Sequence, residues 1–300
     1  MNKVFVLQPG EDWIVDRFVQ EWNEDNDDIS VKNPLDANVI WLLADWCWDK
    51  LPYELLQSKK VITTVHHITP EKFDQNARNL FTLRNKITDA YHVYNEVTYS
   101  FVKQLTNKPV HLIHYWANQK IWKKTEDKIS LRKRYNLPDK FLIGSFQRDT
   151  EGFDLKSPKL EKGPDLLADY IEYKKSLLSR KEMHVVLAGW RRQYIIKRLK
   201  DANIEFSYFE RPSHTVINDL YQCLDLYPIS ARCEGGPQAL IECGLLDVPV
   251  VSRDIGISRQ VLPPSSINNS LVDAAPMIPD VSGWTLPNGY AKYRELILSL

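Results

Sequence analysis

Two phosphate-binding signatures are missing from this chain of 300 residues, which has neither GxGxxG nor GxxxxGK[ST]. Their absence argues against a nicotinamide-dependent dehydrogenase and against a P-loop enzyme. An excess of charge of one sign is missing too. With 39 basic and 39 acidic residues, binding of nucleic acid through a basic surface is not expected. No apolar run approaches the length that crosses a bilayer, and the opening MNKVFVLQPGEDW holds only VFVL, too short for a secretory signal. The four cysteines (Cys47, Cys223, Cys233 and Cys243) show no CxxC pair and no metal-ligand spacing. They read as buried thiols of a reducing compartment, and a cytoplasmic protein is the expectation. One nominal Asp-x-Asp, Asp25-Asn26-Asp27, lies in a polar turn rather than at a strand end, so chemistry without a metal is expected.

What is present is alternation. With 43% hydrophobic residues the chain is long enough for one large or two medium domains. Its first half sets short apolar runs at residues 4–8, 39–44, 61–66, 90–95 and 110–114 between helical patterns at 13–22, 53–57, 70–83 and 97–105. The second half repeats this with strands at 141–146, 184–188, 205–209, 226–230 and 248–252. Its helices fall at 164–178, 191–202, 215–224 and 237–246, with a short one near Ser258 and a last one at 291–300. Short continuous apolar strands separated by helices predict parallel sheets covered on both faces. The stretch 116–140 reads as a connection between domains. Its basic tract LRKRY (131–135) reads as a solvated helix face, with peripheral contact to anionic lipid as the alternative.

The most informative stretch is LYPISARCEGGPQALIECGLLDVPVVS, residues 226–252. LYPIS predicts a strand, Cys233-Glu234-Gly235-Gly236 breaks it, and Pro237 suits a first helical position, where its missing N–H would be unsatisfied anyway. Glycines let the backbone approach a ligand closely, and the free N–H groups at a helix start favour a phosphate. Glu234 and Glu242 beside an anion site make sense where they accept hydrogen bonds from hydroxyls of the same ligand. A sugar nucleotide has a pyrophosphate and two sets of hydroxyls. For either glutamate alone, an ordinary strand–helix corner with a solvated carboxylate is the favoured reading.

Glu234, seven residues and Glu242, with EGGP at the start and GLLDVPVV after it, resembles the C-terminal donor-site motif of retaining glycosyltransferases, most closely glycosyltransferase family 4. The family's usual Glu-Ala-Met-Ala is Glu242-Cys243-Gly244 here, and Asp247 stands where its Gly-x-Pro-Val-Val strand has glycine. The match covers most of the second half, and the first half only by pattern. The resemblance implies an α/β protein of the GT-B fold, with two Rossmann-like, doubly wound parallel-sheet domains facing each other across a cleft. Residues 1–117 would form the acceptor side and 118–285 the donor side, with a final helix in 286–300 packing back on the first domain.

In open α/β sheets ligands bind beyond the carboxyl ends of the strands. Polar or glycine-bearing residues stand there at Gly10, Asp45, His66-His67, Arg148, Gly189-Trp190, Glu210-Arg211, Glu234 to Gly236 and Arg253-Asp254. By the resemblance, Gly10 lies near the donor phosphates and His66 at the donor sugar. A plain turn and a structural histidine are the other readings. Fixed cations stabilise the charge that grows on a leaving diphosphate. The family supplies an arginine and the lysine of a Lys-Gly pair, matched here by Arg148 and Lys162-Gly163, with Lys159 as a substitute for the lysine. Gly189 and Arg211 follow strands along which the family passes the nucleotide base, where Trp190, Tyr208 and Phe209 either stack or join the core. Gly235, Gly236 and Pro237 would face the phosphates, Glu234 the hydroxyls of the transferred sugar and Glu242 the ribose. Trp41, Trp46 and Trp48 read as core and apolar rim, with stacking on an acceptor sugar as the alternative.

The implied activity is retaining, metal-independent transfer of a sugar from a nucleotide diphosphate sugar, with no cofactor. The acceptor hydroxyl would belong to a glycan, a lipid-linked or a small-molecule acceptor. Two alternatives share the fold: a sugar-nucleotide epimerase and a non-catalytic sugar-nucleotide binding protein.

Overall fold

The computed structural model describes residues 2–11, 14–178 and 182–300, so Trp13, the expected start of the first helix, lies outside the described residues. The chain divides into two units, Met1–Trp116 with Leu286–Leu300, and Ala117–Thr285.

In the first unit five parallel strands stand in chain order: β1 (Val4–Val6), β2 (Val39–Leu42), β3 (Lys60–Val65), β4 (Ala90–Val93) and β5 (Val110–Leu112). Between them run α1 (Ile14–Asp25), α2 (Tyr53–Ser58), α3 (Gln75–Asn85) and α4 (Glu96–Leu105). One further bridge makes this sheet doubly wound. Ser30 pairs with Val4 in parallel, Val4 N donating to Ile29 O at 2.8 Å and Val31 N to Val4 O at 2.9 Å. The chain therefore steps outward from β1 through α1 to Ser30, then returns to β2 and winds the other way to β5. Reversing the winding puts helices on both faces. Trp41 meets Trp22 of α1 edge to face at 5.2 Å on one face, while Val65, Tyr91 and Val93 pack with Phe81 of α3 and Val102 of α4 on the other. The chain's last helix (Ala291–Ser299) brings Tyr293 to Trp41 and His92, within 5.3 Å of each ring. The helix expected at 70–83 is two pieces, a 3₁₀ turn at Pro70–Lys72 and α3. Asp74 accepts the Ala77 N–H at 2.9 Å and so starts the helix afresh.

The second unit opens with α5 (Lys128–Arg134), then β6 (Phe141–Ser145), a small antiparallel hairpin β7 (Thr150–Glu151) and β8 (Ser157–Pro158), and α6 (Pro164–Leu177). There follow β9 (Met183–Ala188), α7 (Gln193–Asp201), β10 (Phe206–Phe209), α8 (His214–Cys223), β11 (Tyr227–Ile229), α9 (Gln238–Leu245), β12 (Val250–Ser252) and α10 (Ser258–Val261). β10, β9 and β6 form one parallel ladder and β11 and β12 another, joined where Ile143 bridges Leu226. The resulting order β10-β9-β6-β11-β12 is that of a Rossmann half, with its reversal between β6 and β11. Ile143, Val185 and Leu187 of these strands, with Leu226 just before β11, are sealed by Leu167 and Ile171 of α6 and Ile195 and Leu199 of α7.

Two expectations need correction. Of the stretch 116–140, all but Trp116 is a packed part of the second unit rather than a bare connection. Lys123 N donates to Asn218 Oδ1 at 3.1 Å, Thr125 N to Gln222 Oε1 at 2.9 Å, and Asp127 caps α5 by accepting the Ser130 N–H at 2.9 Å. The solvated face expected of LRKRY is confined to Lys133 and Arg134. Arg132 donates to Cys223 O at 2.9 Å and Asp225 at 2.6 Å, Arg134 pairs with Glu126, and Tyr135 donates to Asp219 at 2.7 Å. Cys47, Cys223 and Cys243 are buried, and burial raises the pKa of each thiol. Among the described residues no helix is long and apolar enough to cross a membrane.

Candidate functional site

The reversal between β6 and β11 is where a ligand of the second unit is expected, beyond the strands' carboxyl ends. Two turns meet there. Gly163 ends the 3₁₀ turn Leu160–Lys162 with φ +60°, and a Cβ on it would stand 2.0 Å from the Ser230 carbonyl oxygen. Only glycine fits so close a crossing in that conformation, which is the local reason for a Lys-Gly pair. The crossing is bonded on several sides. Glu161 O accepts the amides of Arg232 (2.7 Å) and Cys233 (3.2 Å), and Lys162 O accepts from Gln147 Nε2 (2.8 Å) and Ser230 Oγ (3.2 Å). The turn carrying Lys162 is thus tied to the turn carrying Glu234, and the two side chains form an ion pair, 23% and 17% exposed.

More positive charge gathers at this ion pair. Burial first, and then the charges of Lys162 and Arg148, hold the Lys159 ammonium below its ordinary pKa, while Glu151 and Glu234 pull the other way. Arg148, Lys159 and Lys162 therefore share one electrostatic neighbourhood, in which an added anion is favoured. Arg148 lies with its guanidinium over the Trp190 indole at 5.3 Å, and the same ring carries Arg191 at 4.5 Å and Arg211 at 4.8 Å. Trp190 is 40% exposed, so it is not a core residue, while Tyr208 and Phe209 are half-buried. Gly189, at φ +99°, receives the Tyr208 hydroxyl on its carbonyl at 3.0 Å.

Gly235, Gly236 and Pro237 lead into α9. A Cβ on Gly256 would come within 3.1 Å of Gly235 O and Gly236 Cα, so this start is packed closely from behind. Glu242 is 8% exposed, and its Oε2 accepts the Tyr221 hydroxyl at 2.7 Å. One turn earlier, on the same face, Gln238 keeps a buried Nε2 with no hydrogen-bond partner among the described residues.

In the first unit the reversal falls at the ends of β1 and β2. Gly10 N donates to Asp16 Oδ1 at 2.8 Å and Glu11 N to Asp16 Oδ2 at 2.7 Å, while Lys50 binds the Pro9 carbonyl. The Gly10 amide, expected at a donor phosphate, is bound to the Asp16 carboxylate. His66 Nε2 lies 2.8 Å from Leu43 O, so that nitrogen donates, and the ring stands 5.7 Å from Trp46 and 5.2 Å from Tyr94. The tryptophans divide: Trp41 is buried, whereas Trp46 is 41% exposed and donates to Glu11 Oε1 at 2.9 Å. Asn26 of the nominal Asp-x-Asp is buried, closing α1 with its amide on Trp22 O at 2.9 Å. Among the described residues no three His, Cys, Asp or Glu side chains are gathered to hold a metal ion.

Sequence reasoning passed over Asp149 and Arg192. Both are completely buried, with Arg192 Nε 2.5 Å from Asp149 Oδ2, and 43 positions separate them, so no motif spacing announces the pair.

No protein-family model and no curated protein sequence matches the chain. Solved structures do. HepE of Anabaena in complex with UDP is 13% identical over 100% of both chains, with a TM-score of 0.73. A glycosyltransferase from Rickettsia africae is 14% identical over 100% of this chain and 99% of its own, with a TM-score of 0.62. Sucrose-phosphate synthase from Thermosynechococcus elongatus is 15% identical over 79% of this chain and 63% of its own, with a TM-score of 0.61. The chain has the α/β fold of these glycosyltransferase structures, GT-B, with two Rossmann-like parallel-sheet domains.

Proposed function

We propose that this protein is a retaining glycosyltransferase that takes its sugar from a UDP-sugar. The observation that carries the reading is the ion pair of Lys162 with Glu234 at the reversal point of the second unit's sheet, with Arg148 and Lys159 in the same electrostatic neighbourhood. HepE, whose fold it shares over its whole length, was solved with UDP, which favours uridine as the base. In the proposed reaction Arg148, Lys162 and the start of α9 bind the diphosphate and take up the charge released as its bond to the sugar C1 breaks. A diphosphate oxygen receives the acceptor's hydroxyl proton, and the acceptor oxygen joins C1 on the face the diphosphate leaves, so the anomeric configuration is kept. Protein cations stand in the role a metal has elsewhere.

Glu234 exchanges its bond to Lys162 for hydroxyls of the transferred sugar, which releases the lysine to the phosphate. Glu242, oriented by Tyr221, serves the ribose, and Gly189, Trp190 and Arg211 lie beside the base.

The test is thermal unfolding against UDP-, GDP-, ADP- and dTDP-sugars. A donor at about a hundred times its Kd adds roughly 2.7 kcal/mol. UDP-sugars should shift the wild type, and Lys162→Ala should shift little. Turnover with an acceptor must then yield the donor's own anomer. Binding without turnover would favour the binding-protein reading, and an isomerised sugar formed without acceptor the epimerase.

A further inference from the structure

We propose that the segment Gly189-Trp190-Arg191-Arg192 is the support that aims Arg148 at the diphosphate, and that Arg192 is its positioning residue. This rests on the reading of Arg148 as a diphosphate ligand. Arg192 is completely buried, and its guanidinium reaches three places at once. Nε donates to Asp149 Oδ2 at 2.5 Å, Nη1 to Ala188 O at 2.8 Å and to Ser145 O, and Nη2 to Ser145 Oγ at 2.9 Å. Ser145 ends β6, Ala188 ends β9, and Asp149 is the residue after Arg148.

The residues beside Arg192 grip the same loop. Arg191 O accepts the amides of Asp149 at 3.2 Å and Thr150 at 3.1 Å. Thr150, also completely buried, donates its hydroxyl to Asp149 Oδ1 at 2.7 Å and accepts the Tyr194 N–H at 2.9 Å. Arg148 Nε then donates to Thr150 O at 3.2 Å, and its guanidinium lies over Trp190. The backbone directly after Arg148 and the guanidinium of Arg148 are both held by this one segment.

Stability does not explain the device. A buried ion pair adds little net stability over an apolar pair of the same volume. Arg191 is moreover held at φ +55°, a left-handed conformation that is unfavourable for a residue with a side chain. What the device does supply is a fixed direction for one cation beside the reversal point, and catalysis by electrostatic preorganisation needs such a direction.

Calorimetric titration with UDP and with uridine separates aim from mere integrity, because uridine has no phosphate for Arg148 to meet. Arg192→Lys should weaken UDP binding about tenfold and uridine binding by no more than about threefold, the smaller loss coming from Gly189 and Trp190 at the base. In an Arg148→Ala background the same change should cost nothing further, since residues acting through one group are not additive. Thr150→Val, which keeps the buried volume, should show the same pattern more weakly, and it carries the test if Arg192→Lys does not fold. Equal losses of uridine and UDP, or losses that add to those of Arg148→Ala, would overturn the proposal. A wild type that binds no UDP would instead defeat the glycosyltransferase reading, and this inference with it.

Discussion

At the scale of residues, two titrating groups give opposite tests. His92 stands inside the first unit's sheet with Nε2 3.1 Å from Ile113 O and Nδ1 2.9 Å from Thr64 Oγ1, which in turn accepts the Trp41 indole N–H at 2.8 Å. A carbonyl only accepts, so Nε2 carries the hydrogen and Nδ1 takes the threonine's. No site is left for a second proton, and burial pushes the pKa down to about 3. The unfolded chain, near 6.5, binds a proton that the folded chain refuses. Stability is therefore complete above about pH 6.5 and falls by about 1.4 kcal/mol for each pH unit below it, toward the folded value. Urea titrations between pH 7.5 and 5 should show this slope, and His92→Phe should lose one proton's worth of it. The same change should cost about 2 kcal/mol at pH 7.5, because Thr64 and Ile113 lose their partner. His111 and His184 are lowered by burial as well, so the difference between variants is the quantity to read. Lys159 is the second group. Its ammonium is destabilised by burial, Lys162 and Arg148, so an anion bound among them should restore its proton. UDP binding in the alkaline range should take up protons, seen as a heat that changes with the buffer's ionisation enthalpy, and Lys159→Met should abolish the uptake.

At the scale of elements, the turn that delivers Lys162 depends on its glycine. Gly163→Ala would combine φ +60° with a methyl 2.0 Å from the Ser230 oxygen. It should cost on the order of 3 kcal/mol in denaturant unfolding, whereas Gly283→Ala, where a Cβ meets nothing, should stay within about 0.5 kcal/mol. An equal loss at both positions would mean that the crossing over β11 does not constrain the turn. This element was legible in the sequence, because Lys162-Gly163-Pro164 carries both the left-handed glycine and the proline of a helix start. The strands were legible as well, since a run buried on both faces has to be apolar throughout. Ser30 was not, because a one-residue bridge leaves no run to see. The Trp190 cluster was half legible: Gly189-Trp190 and Arg211 stood out at strand ends, but nothing in a sequence marks Arg191 and Arg211 as left-handed. The Lys162–Glu234 pair joins residues 72 positions apart, and the hydrogen bond of Glu242 to Tyr221 joins two helices. Local pattern identified each candidate carboxylate but not its partner.

At the scale of the whole molecule, the chain leaves the first unit at Trp116 and returns to it at Leu286, so that unit's core is completed by its last fifteen residues. Tyr293 is the centre of that completion, packed on Trp41, His92 and Trp116, with its hydroxyl on His114 O at 2.7 Å. Tyr293→Ala should remove about 3–5 kcal/mol from the first unit through the cavity it leaves. The second unit has its own core around Ile143, Val185 and Leu226. Scanning calorimetry should accordingly resolve two transitions that answer to different perturbations. Tyr293→Ala should lower one of them. UDP should raise the other, whose sheet carries the proposed phosphate ligands, and by the same increment in variant and wild type. A single transition moved by both would mean that the two cores unfold as one cooperative body, and the stability effects of Gly163 and Tyr293 would then have to be read on a common scale.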